Sequence, residues 1–161
     1  MLVEIERKFR VKNDSFIAMA AKSLLISQGY LCSAIERTVR VRVQDREAFI
    51  TVKGIGDATG ASRFEWEKSI DPDEAMALMR LTEPSPIEKR RYRVLCGAHW
   101  WDVDVFLGDN EGLILAEVEL TSIDESFEKP DWLGEEVTGD PRFYNSYLSK
   151  KPFKNWSEHE R

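Results

Sequence analysis

Charged side chains occupy every second position in several stretches of this 161-residue chain, and they carry both signs. The acidic members are Glu4, Glu6, Glu65, Glu67, Asp102, Asp104, Glu117 and Glu119. The basic members are Lys8, Arg40, Arg42, Lys53, Arg63, Lys89, Arg91 and Arg93. Clustered Arg and Lys favour a polyanion, because a guanidinium binds phosphate oxygens in pairs. Clustered carboxylates favour a hard divalent cation such as Mg²⁺ or Mn²⁺. A polyphosphate with bound metal would satisfy both sets.

The alternation of apolar and charged residues is typical of β-strands, whose side chains point to opposite faces in turn. Eight strands are predicted, at residues 3–9, 29–32, 37–43, 49–53, 62–70, 89–94, 101–106 and 115–120. Several of the connections are short, such as residues 44–46, and short connections favour antiparallel hairpins. The sequence therefore predicts a mainly antiparallel sheet.

Helices are few in the predicted fold. An amphipathic segment at residues 14–25 predicts one, and Pro72 in the first turn predicts a second that runs to Met79. The pair Asp140-Pro141 predicts a C-terminal helix that reaches the region of Leu148. No linker is long enough to divide the chain, so a single domain is expected over residues 1–161.

Two arrangements of the strands fit the alternation. One is an ordinary half-buried sheet with a solvated charged face. The other is an inverted barrel whose apolar faces point outward beneath the helices and whose charged faces line a wet tunnel. Seven strands with charged faces favour the barrel, because Glu and Lys are depleted in ordinary strands. Eight strands can enclose a small ligand, and enclosed charges need an occupant because unpaired charges out of water are costly.

Composition limits the classes of protein. A hydrophobic fraction of 42% rules out global disorder, and a net charge of −6 argues against a nonspecific nucleic-acid binder. Cys32 and Cys96 lack a CxxC spacing, which rules out a disulfide framework and a cysteine zinc site. The N-terminus does not resemble a signal peptide, and no apolar run is long enough to span a membrane. A cytoplasmic protein is expected.

The order of the charged strands resembles the CYTH domain, the triphosphate tunnel metalloenzyme superfamily. The first strand carries the ExExK signature as Glu4-Ile5-Glu6-Arg7-Lys8. The following stretches also match in order: Gln28-Gly29-Tyr30-Leu31, Val39-Arg40-Val41-Arg42, Thr51-Val52-Lys53, Arg63-Phe64-Glu65-Trp66-Glu67, Glu88-Lys89-Arg90-Arg91-Tyr92, Asp102-Val103-Asp104, Glu117-Val118-Glu119, Trp132-Leu133-Gly134-Glu135-Glu136-Val137-Thr138 and Arg142-Phe143-Tyr144-Asn145. The resemblance covers nearly the whole chain.

The resemblance implies an α+β fold, an eight-stranded antiparallel closed β-barrel with a charged interior and helices packed outside. It implies that Mg²⁺ or Mn²⁺ is held by Glu4, Glu6, Glu117 and Glu119. It implies that phosphate is bound by Lys8, Arg40, Arg42, Lys53, Arg63, Lys89 and Arg91. Catalysis would then depend on Lys8, Glu4 and Glu6. Three roles stay open for Glu65, Glu67, Asp102 and Asp104: holding a second metal, activating water, or pairing with the charges of the basic set.

Family members perform several reactions, and this chain most resembles the small bacterial tripolyphosphatases. The expected function is metal-dependent hydrolysis of a triphosphate, and inorganic tripolyphosphate is the first candidate substrate. The alternatives are a class IV adenylate cyclase, a thiamine-triphosphatase and a non-catalytic module that binds a phosphate ligand. The sequence shows no purine-reading motif. The expected partner is a small-molecule triphosphate, and neither a nucleic acid nor a membrane is expected. Whether the protein forms a homodimer is left open by the sequence.

Overall fold

The computed structural model describes residues 2–161 and contains nine β-strands and three short α-helices in that range. The strands are β1 (Val3–Val11), β2 (Ala20–Ala34), β3 (Arg37–Gln44), β4 (Glu47–Gly56), β5 (Ser62–Ile70), β6 (Ile87–Cys96), β7 (His99–Phe106), β8 (Ile114–Glu119) and β9 (Leu133–Glu136). The helices are α1 (Phe16–Met19), α2 (Pro72–Met79) and α3 (Asn145–Leu148). None of these helices combines the length and apolar character needed to cross a bilayer.

Eight of the strands form a closed antiparallel barrel in the order β5-β4-β3-β2-β6-β7-β8-β1. The barrel closes where β1 pairs with β5, with Val3 opposite Phe64 and Ile5 opposite Ser62. The short β9 pairs farther along β1, where Phe9 lies opposite Glu136. The predicted eight-stranded barrel is therefore confirmed, and β9 is an addition to it.

The apolar side chains of the strands face outward, as the inverted arrangement requires. Three apolar clusters lie on the outside of the barrel and are covered by the connecting segments. The first holds Phe9, Trp101 and Val103 beneath Phe16 of α1 and Trp132. The second holds Ile87, Phe106 and Leu115 beneath Phe143, Leu148 and Trp156 of the C-terminal segment. The third holds Val41 and Ala48 beneath Ala75 of α2. Because these clusters satisfy the apolar faces, the charged faces are left for the interior.

The helix predicted at residues 14–25 is wrong for most of its length. Helix α1 ends at Met19, and β2 continues from Ala20 for 15 residues, well beyond the strand predicted at residues 29–32. Strand β2 pairs along both edges, so that Ile26 lies opposite Gln44 of β3 and Lys89 of β6. In residues 20–25 it is the pairing with β6 that outweighs the local helical preference.

The other two helices differ in how well the sequence predicts them. Helix α2 begins at Pro72 as expected, and the Asp71 carboxylate caps it by accepting a hydrogen bond from the Asp73 N–H. The C-terminal helix is interrupted. A 3₁₀ turn at Pro141–Phe143 is followed by Tyr144 in an extended conformation, and α3 then starts at Asn145. This break directs Tyr144 and Asn145 toward the interior of the barrel, where both line the cavity.

Candidate active site

A cavity of about 170 Å³ lies inside the barrel and is lined almost entirely by charged side chains. All seven predicted phosphate-binding cations line it: Lys8, Arg40, Arg42, Lys53, Arg63, Lys89 and Arg91. Seven of the eight predicted carboxylates also line it: Glu4, Glu6, Glu65, Glu67, Asp102, Glu117 and Glu119. Asp104 is absent from the lining and lies buried beside Lys89. The topology thus gathers side chains from seven strands around one space.

One wall of the cavity carries cations that share a small number of carboxylates. Lys53 Nζ lies 3.0 Å from Glu4 Oε1 and 3.3 Å from Glu65 Oε2. Arg40 Nη2 lies 3.6 Å from Glu67 Oε2 and donates to Thr51 Oγ1 at 3.2 Å. The buried Arg40 Nε finds no acceptor within the described chain. A buried donor without a partner is costly, so an anion in the cavity would satisfy this group.

Asp104 holds two further cations. Its Oδ2 lies 2.7 Å from Lys89 Nζ, and Arg91 donates to both of its oxygens at 2.7 and 2.9 Å. Burial alone would raise the pKa of Asp104, but Arg91 and Lys89 outweigh it and lower that pKa to about 2. Burial lowers the pKa of Lys89 to about 7, because Asp104 shares its charge with Arg91 and only partly offsets the loss of water.

The carboxylates of Glu4, Glu6 and Glu117 are crowded together inside the barrel. Withdrawal from water inside the barrel, followed by the charges of Glu117 and Glu4, raises the pKa of Glu6 well above its usual range. The same withdrawal acts to raise the pKa of Glu117, but Lys8, a hydrogen bond with Glu6 and Arg91 together hold it well below. Glu6 is therefore the member of this pair that binds a proton more readily. Two carboxylates crowded together away from water favour a cation beside them.

The alternation of charges did not single out the uncharged residues of the site. Six line the cavity, namely Tyr30, Thr38, Thr51, Tyr144, Asn145 and Ser146, and the buried Gln28 contacts one of them. Gln28 Oε1 accepts from Arg42 Nε at 3.1 Å, and Gln28 Nε2 donates to Asn145 Oδ1 at 3.0 Å. Lys89 Nζ donates to the same Asn145 oxygen at 2.9 Å. The pattern of charges could not reveal them, although the stretches that match the family include Gln28, Tyr30, Thr51, Tyr144 and Asn145.

The cavity opens into a wider chamber of about 520 Å³ at one mouth of the barrel. The two spaces share Glu4, Glu6, Lys8 and Arg63, and Tyr144 stands in the wall of both. The chamber adds apolar lining from Ile35, Ile55, Ala58, Pro141 and Tyr147. Gly60 and Gly139, both with positive φ, meet beside it so closely that a Cβ on Gly60 would lie 2.4 Å from Gly139 Cα. Sequence patterns gave no indication of this chamber.

Comparison with known families agrees with the geometry of the site. The sequence profile of the CYTH domain matches residues 2–144, which include every charged residue that lines the cavity. The chain belongs to the CYTH domain family. The family resemblance drawn from the charged strands is therefore confirmed.

Two curated CYTH relatives match over almost their full lengths. A protein of Acetivibrio thermocellus named inorganic triphosphatase is 47% identical over 156 residues, which cover 96% of this chain and 98% of that one. A protein of Nitrosomonas europaea with the same name is 38% identical over 152 residues, which cover 92% and 97%. The crystal structure of the inorganic triphosphatase NE1496 superposes with a TM-score of 0.64 at 34% identity, covering 92% of this chain and 95% of that one.

The donor set of this CYTH barrel suits the divalent metal on which the family depends. Glu4, Glu6, Glu117 and Glu119 supply only carboxylate oxygens, which Mg²⁺ and Mn²⁺ prefer. Withdrawal from water followed by the charge of Glu4 also raises the pKa of Glu119. Within residues 2–161 no three of these side chains are already arranged at ligand distance around one point. A bound cation would relieve the repulsion between these carboxylates and draw them together.

Proposed function

We propose that this protein hydrolyses a triphosphate with the help of a divalent metal, and that inorganic tripolyphosphate is its preferred substrate. The observation that carries the proposal is the convergence of seven cations on one small cavity inside a closed barrel. A cavity of that size suits a chain of phosphates better than a larger substrate. The names of the two curated relatives support the same activity.

The chain's own residues bind, orient and shield the reacting phosphates. The seven cations hold the oxygens and spread the negative charge, which accounts for much of the catalysis in phosphoryl transfer. Glu4, Glu6, Glu117 and Glu119 would hold Mg²⁺ or Mn²⁺. When bound, the metal supplies further charge neutralisation and lowers the pKa of a water molecule. Glu65, Glu67 and Asp102 stand in the cavity wall, where they could orient water or a second metal.

A release assay tests this proposal. Phosphate release is measured from tripolyphosphate, ATP, thiamine triphosphate and pyrophosphate, each with Mg²⁺ and with Mn²⁺, alongside formation of cyclic AMP. Tripolyphosphate should give the highest kcat/KM, and pyrophosphate should be poor because it leaves part of the basic set unpaired. Faster conversion of ATP to cyclic AMP than hydrolysis of tripolyphosphate would make the protein a cyclase.

A second candidate function is hydrolysis or cyclisation of an organic triphosphate, and the mouth chamber is the observation that favours it. About 520 Å³ beside Glu4 and Lys8 is room enough for an organic group whose phosphates lie in the tunnel. Tyr147 and Ile55 in its wall distinguish the two candidates. Replacing both with Ala should lower kcat/KM for ATP and leave that for tripolyphosphate unchanged if the chamber serves an organic group.

Tripolyphosphate should stabilise the fold strongly. The cavity concentrates like charges, and a bound polyanion relieves their repulsion. At 100 times its Kd, a ligand adds about 2.7 kcal/mol to the free energy of unfolding, which corresponds to a rise in Tm of about 5–10 °C for a domain of this size. Differential scanning fluorimetry measures the rise. Monophosphate at matched ionic strength should give a much smaller one, and equal shifts would indicate salt screening instead of binding.

Lys8→Ala should weaken turnover of every triphosphate by a similar factor. Lys8 lines the cavity, where its Nζ lies 3.9 Å from Glu117 Oε1 and donates to the Phe143 carbonyl at 3.1 Å. Its charge would therefore act on the phosphate groups that all of these substrates have in common. Loss of one charged hydrogen bond costs about 1.5–3 kcal/mol, which is about 10–100-fold in kcat/KM. The exposed Lys68 supplies the matched control, since Lys68→Ala should leave kcat/KM unchanged. A loss confined to one substrate would contradict this role.

The proposed partner is a small-molecule triphosphate, and we propose no nucleic-acid or membrane partner. Both Cys32 and Cys96 are free, as is usual in a reducing compartment. We therefore retain the cytoplasm as the expected location.

A further inference from the structure

The segment Phe143–Asn145 reaches the tunnel cations from outside the barrel. Lys8 Nζ donates to the Phe143 carbonyl and lies 5.7 Å from the centre of the Tyr144 ring. Arg63 Cζ lies over the same ring, also at 5.7 Å. Asn145 continues the contact by accepting from Lys89. Three consecutive residues of the interrupted C-terminal helix thus contact three of the seven cations.

Asn145 extends this contact to a fourth cation through a buried amide. Its Oδ1 accepts from Lys89 Nζ at 2.9 Å and from Gln28 Nε2 at 3.0 Å. Gln28 is fully buried in β2, and its own oxygen accepts from Arg42 Nε at 3.1 Å. The chain Lys89–Asn145–Gln28–Arg42 therefore joins β6, the C-terminal segment, β2 and β3.

The neutral amides of Gln28 and Asn145 suit a position between Lys89 and Arg42, because an amide holds a cation in place without neutralising its charge. A carboxylate beside Lys89 or Arg42 would neutralise the charge that an anion needs, as Asp104 already does in part for Lys89 and Arg91. An amide oxygen satisfies a donor and leaves the positive charge in place. Withdrawal from water, and then the charges of Arg40 and Arg91, lower the pKa of Arg42 to about 9, as expected of a cation awaiting an anion.

We infer that Asn145, together with Gln28, is a positioning residue that holds Lys89 and Arg42 in the arrangement that binds the triphosphate. This inference rests on the proposed function, because it takes these cations to be phosphate ligands. It adds that the C-terminal segment, and not the barrel alone, sets the affinity of the tunnel for its substrate.

Binding of tripolyphosphate to Asn145→Ala tests the inference. Isothermal titration calorimetry in EDTA measures binding with no turnover, and steady-state assays with metal measure KM and kcat. We expect Kd and KM to rise about tenfold, the equivalent of about 1.4 kcal/mol, while kcat changes less than about twofold because the lost contact acts equally on bound substrate and transition state. Asn155→Ala, in an exposed part of the same segment, is the matched control and should bind as the native protein does.

Asn145→Asp separates positioning from folding. It keeps the oxygen that accepts from Lys89 and Gln28, so its Tm without ligand should equal or exceed that of the native protein. Its added negative charge should neutralise Lys89 and weaken tripolyphosphate binding more than Asn145→Ala does.

The outcomes distinguish this inference from the proposed function. A native protein that binds tripolyphosphate without hydrolysing it would refute the function, and the calorimetry would still decide the role of Asn145. Native-like Kd values for both variants would overturn the inference while leaving the function standing. A native protein that neither binds tripolyphosphate in EDTA nor turns it over with metal would overturn both.

Discussion

Chelation of divalent metal should abolish hydrolysis of tripolyphosphate, and Glu117→Gln should lower kcat by about 100-fold or more. A metal ion contributes several kcal/mol of transition-state stabilisation, and each 1.4 kcal/mol is a factor of ten in rate. Glu117 lies beside Lys8 in the cavity wall, so an amide in its place removes both a candidate ligand and a negative charge. Glu4→Gln should act in the same direction. Rates are measured by phosphate release, and Mn²⁺ binding is measured separately by electron paramagnetic resonance.

The exposed Glu47 provides the control for these changes. Glu47→Gln alters charge by the same amount on the same barrel and should leave both the rate and Mn²⁺ binding unchanged. Circular dichroism should show that all three variants are folded. Undiminished turnover in excess EDTA would refute the metal-dependent mechanism outright.

Asp104→Asn should lower the free energy of unfolding by about 3–5 kcal/mol, because removing one partner of a buried charge pair leaves the others uncompensated. Asp104 and Lys89 are each 1% exposed, and Arg91 makes two hydrogen bonds to Asp104. The expected fall in Tm is about 10 °C for a domain of this size. Denaturant unfolding in EDTA measures the effect without any contribution from metal.

Asp109→Asn offers a matched comparison on the surface. Asp109 pairs with Lys154 at 2.8 Å, but both side chains are about half exposed. Exposed ion pairs contribute about 0–1 kcal/mol, so this change should hardly alter the free energy of unfolding. Similar losses for the two variants would mean that the Asp104 pairs contribute no more than an exposed one.

The positions of the charged residues could be predicted because strand alternation is a strictly local rule. Once Glu4, Glu6 and Lys8 share a face of β1, and Arg40 and Arg42 share a face of β3, closing the sheet leaves the interior as the common place for them. The apolar residues on the opposite faces of these strands are numerous enough that other segments must pack over them outside the barrel. Local periodicity therefore predicts most of the residues that line the cavity.

Elements that depend on distant pairing could not be predicted in the same way. Residues 20–25 include Ala20, Leu24 and Leu25, which suit a helix, and become strand because β6 pairs with them. Strand β9 contains Gly134, Glu135 and Glu136, residues that strands generally avoid, and exists because β1 offers it an edge.

The roles of the uncharged site residues could not be predicted from the sequence, for a related reason. Gln28 and Asn145 lie far apart in sequence, and neither stands out by charge or spacing. Their importance comes from meeting each other between Lys89 and Arg42, which only the folded chain reveals. A fully buried Gln28 bonded to the half-buried Asn145 beside a charged cavity is the structural sign of such a role.

The pairing of β1 also sets an order for events during translation. Strands β2 to β5 can form consecutive hairpins as they leave the ribosome. In contrast, Glu6 can pair with Glu119, and Phe9 with Glu136, only after β8 and β9 have been synthesised. Contacts between distant parts of a chain form slowly. Strand β1 can therefore pair with β5 early, but it finds β8 and β9 only long after it has been synthesised. Because Glu4 and Glu6 meet Glu117 and Glu119 only at that later step, a nascent chain carries no metal-binding cavity until β8 has emerged.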